Sequence, residues 1–271
     1  MTKSKVAICV PVKNSDCWLA KNLSLIDTFG KEISRVIISY GDSYDNTFEL
    51  IRRWASTTKH KVEVIHEPET KYRVHSSGEI AFLYHDFQDM IEEGDETHAL
   101  LWDGDILEAP SNLVKELLKH DKDIIAPYVY TKHHAPGKRF FDTFVYRYKG
   151  YRYHPFDPPM HNNKLAMIDS VGCVFLVKRK PFLEHRYRDP YPHMAFCNDA
   201  RSSGYEVWVD PNMEIGHIDM ERFGGGNQPV EMVQTSRFYN PKFVYPPMIN
   251  NKGEIISDEK FVVELINKYI M

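Results

Sequence analysis

Residues 98–110 read HALLWDGDILEAP. Ala99 to Trp102 are apolar, and Asp103 and Asp105 follow at once with only Gly104 between them. Apolar runs suit burial, whereas aspartate is among the residues least often buried unpaired. A short apolar run bounded by polar residues reads as a buried strand, so His98–Trp102 carries two carboxylates to the point where it leaves the core. Such a pair repels unless something cationic lies between or beyond it. Hard oxygen donors suit Mg2+ or Mn2+, which commonly take one or two carboxylates plus phosphate oxygens. Gly104 is expected to let the backbone bend and a ligand come close. The bland reading is a solvated turn or helix cap.

Working outward, the neighbouring segments give that strand its place. Lys5–Val12 is a short apolar run broken by Pro11, a buried strand running into a loop. Trp18–Thr28 has helical apolar spacing, Arg35–Ser39 is a second strand and Phe48–Ala55 a helix. Lys61–His66 alternates as a third strand, Ile80–Glu92 is an amphipathic helix, and His98–Trp102 is then the fourth strand. Ser111 is expected to cap a helix reaching His120, with a strand over Asp123–Val129. Strands alternating with helices at this spacing imply a parallel sheet covered on both faces. Ligands of such sheets sit beyond the carboxyl ends of the strands. The loops Val12–Asn14, Gly41–Thr47, Glu67–Arg73 and Asp103–Asp105 should therefore gather along one edge.

The second half is less regular. Lys132–Lys164 mixes aromatic and basic residues with four prolines. Asp169–Val177 reads as a strand, Pro181–Tyr187 and Phe196–Ser203 as short helices, and Gly204 as a helix stop. Glu206–Asp210 and Met213–Ile218 read as two extended segments. The run from Arg222 through Gly-Gly-Gly reads as a loop and Phe261–Ile270 as a terminal helix. The length of 271 residues allows one large α/β domain, the organisation chosen here, or two small ones.

Composition excludes several classes. A net charge of −4 gives no global basic field for nucleic acid or anionic membrane. Cys9, Cys17, Cys173 and Cys197 form no CxxC pair and are expected to be buried free thiols in a reducing compartment. No stretch reaches the ~18 apolar residues of a membrane span, and the N-terminus has no small-residue cleavage site. A soluble cytoplasmic protein is expected, in a host cytoplasm if the protein is viral.

The blocks VAICVPVKN, VIISYGDSYDNT, HALLWDGDI, DSVGCVFLV and FCNDARSSGYEVWVDPNMEIGHI occur in an order that resembles the glycosyltransferases of GT-A fold. The stretch LLWDGDILEAPSNLVKELLKHDKDIIAPYVY is similar to the fungal Golgi α-mannosyltransferases that build mannan backbone. FCNDARSSGYEVWVDP also resembles the inverting family-two enzymes, and the likeness runs over roughly residues 5–220. It implies a GT-A-like single α/β domain, with a mostly parallel central sheet, helices on both faces and a smaller antiparallel acceptor-side portion. Residues 1–130 would be the nucleotide-sugar-binding half, and 131–271 the acceptor half with a C-terminal lid and helix. It further implies a metal-dependent transfer from a UDP- or GDP-sugar, with Mn2+ or Mg2+.

The residue roles follow from the same resemblance. Pro11 and Val12 would line the base pocket by backbone contacts. Asp42 would be the base- or ribose-binding acid, although Tyr40-Gly41-Asp42 stands where many relatives carry an Asp pair. Glu67 and Arg73 would border base and pyrophosphate. Asp103 would touch ribose and metal-bound water, Asp105 would bind the metal directly, and His217 would be the third ligand. Arg222 and the triple glycine would close over the donor.

One part of the pattern is missing. Relatives carry acids just before the segment aligned to Phe196-Cys197, where this chain has Tyr191-Pro-His-Met-Ala. Asp189, Asp199 or His193 could replace the general base, which must reach the acceptor hydroxyl. Retention, in which the leaving phosphate takes the proton, is slightly favoured. Lys132–Lys164 suits a glycan acceptor better than a nucleic acid, aromatic rings being able to stack on either. Two alternatives stay open. One is a haloacid-dehalogenase-like phosphohydrolase with Asp103 as nucleophile and Asp105 as general acid. The other is a non-catalytic nucleotide-sugar-binding relative.

Overall fold

In the computed structural model, residues 4–67, 76–131, 165–188 and 192–217 are described, together with short strands at 139–140, 147–148, 151–153, 248–249 and 255–256. Four apolar runs build one half of the main sheet: β1 (Val6–Val12), β2 (Ile33–Gly41), β3 (Val62–Glu67) and β4 (His98–Trp102). β1 pairs in parallel with both β2 and β4, and β2 pairs in parallel with β3. Each of these parallel connections carries a helix, α1 (Leu19–Ile26), α2 (Thr47–Ala55) or α3 (Ser76–Glu93). All four strands end at one edge.

Beyond β4 the sheet continues through β11 (Val174–Lys178), β6 (Ile124–Thr131), β12 (Val207–His217) and β10 (Ala166–Met167). β11 runs antiparallel to β4 and β6, while β6 and β12 are parallel. β5 (Ile106–Glu108) and β7 (Arg139–Phe140) add to this ten-stranded sheet at β12 and β6. A second, four-stranded sheet joins β8 (Arg147–Tyr148), β9 (Tyr151–Tyr153), β13 (Met248–Ile249) and β14 (Ile255–Ile256). Its β13–β9 pair is parallel and the other two pairs are antiparallel.

The period-two alternation of each strand divides the core into two layers. Val6, Ile8 and Val10 pack with Leu19, Leu23 and Ile26 of α1 and with Leu113 and Leu117 of α4 (Leu113–Lys119). Ala7, Cys9, Ala99 and Leu101 pack on the other face with Tyr84 and Phe87 of α3. Phe182 of α5 (Arg179–Glu184) and Phe196 of α6 (Pro192–Ser202) join that second layer. Helices therefore cover both faces, and the mixed α/β class read from the sequence holds.

Several expected boundaries move. Asn112, not Ser111, is the N-cap of α4, and its side chain makes no cap hydrogen bond. The strand expected over Asp169–Val177 begins at Val174. Asp169 lies ahead of it and meets Arg201 of α6 at 2.9 Å. The two extended segments after Gly204 form one strand, interrupted where Asp210 pairs with Pro127 and Glu214 with Tyr128. Asp210 accepts from the backbone N–H of Asn212 at 2.9 Å, which folds the extra residues out as a bulge. Gly204 has φ +90, as a helix stop requires. The triple-glycine loop and the terminal helix lie outside the described residues.

Candidate active site

Of the four loops expected to gather, the first, second and fourth meet at the carboxyl edge, and the third lies outside the described residues beyond Glu67. The backbone N–H of Asn14 donates to the Ser43 hydroxyl at 3.1 Å, and that of Tyr44 donates to Asn14 Oδ1 at 2.9 Å. Ser15 N–H donates to Thr47 Oγ1 at 2.7 Å, and Asp16 N–H to the Asp45 carboxylate at 3.0 Å. From β3, His66 Nε2 lies 2.7 Å from Asp42 Oδ1. The Tyr40 ring stacks between Phe48 and His66, with centroids 4.9 and 4.7 Å away.

The fourth loop is pressed against the first. A Cβ on Gly104 would sit 3.0 Å from the Pro11 carbonyl oxygen and 3.4 Å from Val12 Cγ2. Glycine here makes room for contact between two strand ends, a more specific role than the bend and ligand approach expected from sequence. Asn22 of α1 holds the turn from beneath. It is fully buried, and its amide donates to the carbonyls of Asp103 at 3.0 Å and Ile106 at 2.9 Å. Its own carbonyl accepts from the Trp102 indole N–H at 3.1 Å.

Three strand ends then bring side chains together. Asp103 leaves β4, Cys173 precedes β11, and His217 ends β12. Donor atoms of Asp103, Cys173 and His217 all lie within 4.8 Å of one another. The turn after Asp103 leads into β5, which pairs antiparallel with β12 and sets Ile106 opposite His217. That ladder delivers Asp105, whose Oδ2 is 3.1 Å from His217 Nε2. Burial first, and then the Asp105 charge, push the Asp103 carboxyl above the usual carboxylate range. The charge of His217 and a hydrogen bond from the Cys173 thiol act in the opposite direction. Asp105 Oδ1 is buried with no hydrogen-bond partner. An orphan carboxylate oxygen beside a mixed set of oxygen, nitrogen and sulfur donors fits a cation.

The other sequence candidates are placed as follows. Pro11 and Val12 end β1, and the Val12 side chain is in the core, leaving its backbone for any ligand contact. Glu67 ends β3 opposite Gly41. Asp199 lies on α6, but its carboxylate is held by Arg188 through bonds of 2.9 and 2.8 Å. That guanidinium keeps the Asp199 carboxyl below its usual range. His193, on the first turn of α6, has Nε2 3.3 Å from the Tyr84 hydroxyl, and burial pushes its imidazole down to about 4. Arg73, Asp189 and Arg222 lie outside the described residues, as does most of Lys132–Lys164. Cys9, Cys173 and Cys197 are buried and in no disulfide, as expected, whereas Cys17 is exposed.

No protein-family model and no curated protein matches the chain. Solved structures do. Residues 1–349 of Staphylococcus aureus TarS superpose with TM-score 0.53 at 12% identity, over 81% of this chain and 62% of that one. The mannosyltransferase PcManGT from Pyrobaculum calidifontis, in complex with GDP-Man and Mn2+, gives 0.53 at 11% over 80% and 57%. GalNAc-T7 with UDP, GalNAc and Mn2+ gives 0.57 at 10% over 80% and 44%. This chain thus has the fold of these glycosyltransferases while spanning roughly half of their length. No helix among the described residues is long and apolar enough to cross a membrane.

Proposed function

We propose that this protein is a metal-dependent glycosyltransferase that moves a sugar from a UDP- or GDP-sugar to a hydroxyl acceptor, a glycan in preference to nucleic acid. One observation carries the reading. In a glycosyltransferase fold, the carboxylates of Asp103 and Asp105 converge with His217 at the carboxyl edge of the sheet. These residues would hold Mn2+ or Mg2+, whose bound charge would offset that building on the departing diphosphate. The backbone at Pro11 and Val12, with Asp42, Glu67 and Arg73, would receive the nucleotide. Arg222 and its glycines would close over the donor and exclude water.

For the acceptor proton, Asp199 is committed to Arg188 and His193 is buried against the Tyr84 hydroxyl, which leaves Asp189 or the leaving phosphate as acceptor. The second option supports retention. The fungal mannosyltransferase likeness supports a hexose donor. The cytoplasm is the proposed location, and one domain with a donor half over 1–130 and an acceptor half over 131–271 is the proposed organisation. A phosphohydrolase of the haloacid-dehalogenase type would carry its carboxylate pair after the first strand, whereas Asp103 follows β4.

The test is a panel of UDP- and GDP-sugars with Mn2+ or EDTA, read by thermal shift and donor hydrolysis. Metal-dependent stabilisation by at least one donor is expected. Its absence across the panel overturns the proposal. Hydrolysis of simple phosphate esters, abolished by Asp103→Asn, would establish the phosphohydrolase instead. Donor binding without transfer to any glycan would leave a non-catalytic binder.

A further inference from the structure

We propose that Cys173 is a ligand in the metal site. With Asp103 and His217 it makes a carboxylate–thiolate–imidazole set that holds the divalent cation of the preceding reading and binds softer ions such as Zn2+, Co2+ or Fe2+ more tightly than Mg2+. The inference rests on the preceding reading for the task of the cation, but not for its binding.

Placement comes first. The backbone N–H of Asp103 donates to the Cys173 carbonyl at 3.0 Å, and Trp102 pairs with Val174 on β11. His217 is fixed by the ladder between β12 and β5. The three donors are therefore set by backbone pairing between strand ends, not by long flexible side chains. Tetrahedral metal–ligand bonds of about 2.0–2.3 Å put donor atoms roughly 3.5 Å apart. Donors already within 4.8 Å of one another reach that spacing by modest side-chain rotation. The buried, unpartnered Oδ1 of Asp105 is a second, independent indication that the site is built for a cation or its bound water.

Chemistry then narrows the ion. An all-oxygen set suits Mg2+, whereas a thiolate selects softer metals and imidazole suits zinc, copper and iron. Three protein donors leave at least one position open, the arrangement of a catalytic rather than a structural site. In the metal-free protein the Cys173 thiol donates to the Asp103 carboxylate. On metal binding the S–H bond breaks, a sulfur–metal bond forms, and the proton leaves to water.

The experiment titrates the full-length protein with Co2+ alone. A near-ultraviolet sulfur-to-cobalt charge-transfer band is expected in the unmodified protein and in Cys17→Ser, which removes the exposed thiol. The band should vanish in Cys173→Ser. Cd2+ affinity should fall in that variant by at least the roughly 10–100-fold that losing a hydrogen-bonding partner of a ligand costs. Mg2+ affinity should change far less. Because Cys173→Ser could fail to fold, zinc-edge X-ray absorption on the unmodified protein gives a second reading, with one sulfur expected at about 2.3 Å. Co2+ bound without the band, a band that survives Cys173→Ser, or a zinc shell without sulfur each overturns the thiolate ligand. Mn2+-dependent donor stabilisation measured alongside separates the two readings. If it persists while sulfur is absent from the shell, the thiolate falls and the glycosyltransferase stands.

Discussion

At the scale of single residues, the turn between β4 and β5 depends on one buried amide and one missing methyl group. Asn22 satisfies two backbone carbonyls and one indole, and each buried group left unpaired costs about 1–3 kcal/mol. Asn22→Leu should therefore lower the unfolding free energy by several such increments in urea denaturation. Where the variant is still folded, metal affinity should drop as well, because the carbonyl of Asp103 loses its anchor. Unchanged metal affinity would show that the turn holds itself. Gly104→Ala drives a Cβ to 3.0 Å from a carbonyl of the central strand, which has little room to move. We expect a loss of about 1–3 kcal/mol from overpacking, seen as a lower midpoint with unchanged slope. Asn22 was within reach of the sequence. It stands at the i+3 position of the apolar series Leu19, Leu23 and Ile26, and a polar residue on the buried stripe of a helix needs a partner. Cys173 gave no such signal. Its neighbours Asp103 and His217 are remote in sequence, and only the pairing of β4 with β11 and of β5 with β12 makes them adjacent.

At the scale of elements, the strands that could be read were those with continuous apolar runs. β1 to β4 are buried in the sheet, so their composition marks them. β5 is three residues long and was not read at all, yet it is the element that turns Asp105 toward His217. The bulge in β12 split one strand into two on paper, because Asp210, Pro211 and Asn212 have the composition of a turn. The first two loops illustrate the opposite case, in which side chains replace a ladder. Both oxygens of Asp45 accept backbone N–H bonds, from Asp16 at 3.0 Å and Thr47 at 3.0 Å. Burial opposes the charge of Asp45, but a hydrogen bond from the Thr47 hydroxyl, joined by these backbone bonds, outweighs it and holds the carboxyl below its usual range. A folded-state value below the unfolded one means that the stabilisation is fully present above the unfolded pKa, about 3.9, and is lost as pH falls through the folded value. Asp45→Asn should therefore cost about 1–2 kcal/mol at neutral pH. The gap between variant and parent should narrow below about pH 4, as the pH falls from the unfolded value toward the lower folded one. Denaturation curves at several pH values test this, and a gap that stays constant into acid would exclude the charged carboxylate as the cause.

At the scale of the molecule, the two edges of the sheet do different work. The carboxyl edge gathers Asp103, Asp105, Cys173 and His217, with Asp105 Oδ1 buried and without a hydrogen-bond partner, the condition expected where a site trades stability for chemistry. The amino edge holds a buried ion network. Arg35 at the start of β2 donates to Glu63 of β3 at 2.9 Å, to Glu96 just before β4 at 3.0 Å, and to the Met90 carbonyl of α3 at 2.7 Å. Arg35 and Glu96 are both buried. Removing one partner of such a pair strands the other charge, which costs about 3–5 kcal/mol, whereas replacing both by apolar groups is often neutral. Arg35→Met should therefore destabilise the fold by that amount, and Arg35→Met combined with Glu96→Leu should recover most of it. A double-mutant cycle in urea measures the coupling. Because the network lies at the opposite edge from Asp103 and His217, metal-dependent donor stabilisation should survive in both variants at temperatures where they remain folded. Additive losses in the cycle would show that Glu96 is not the partner that matters. Loss of metal binding in a folded Arg35→Met would show that the two edges are coupled through the strands.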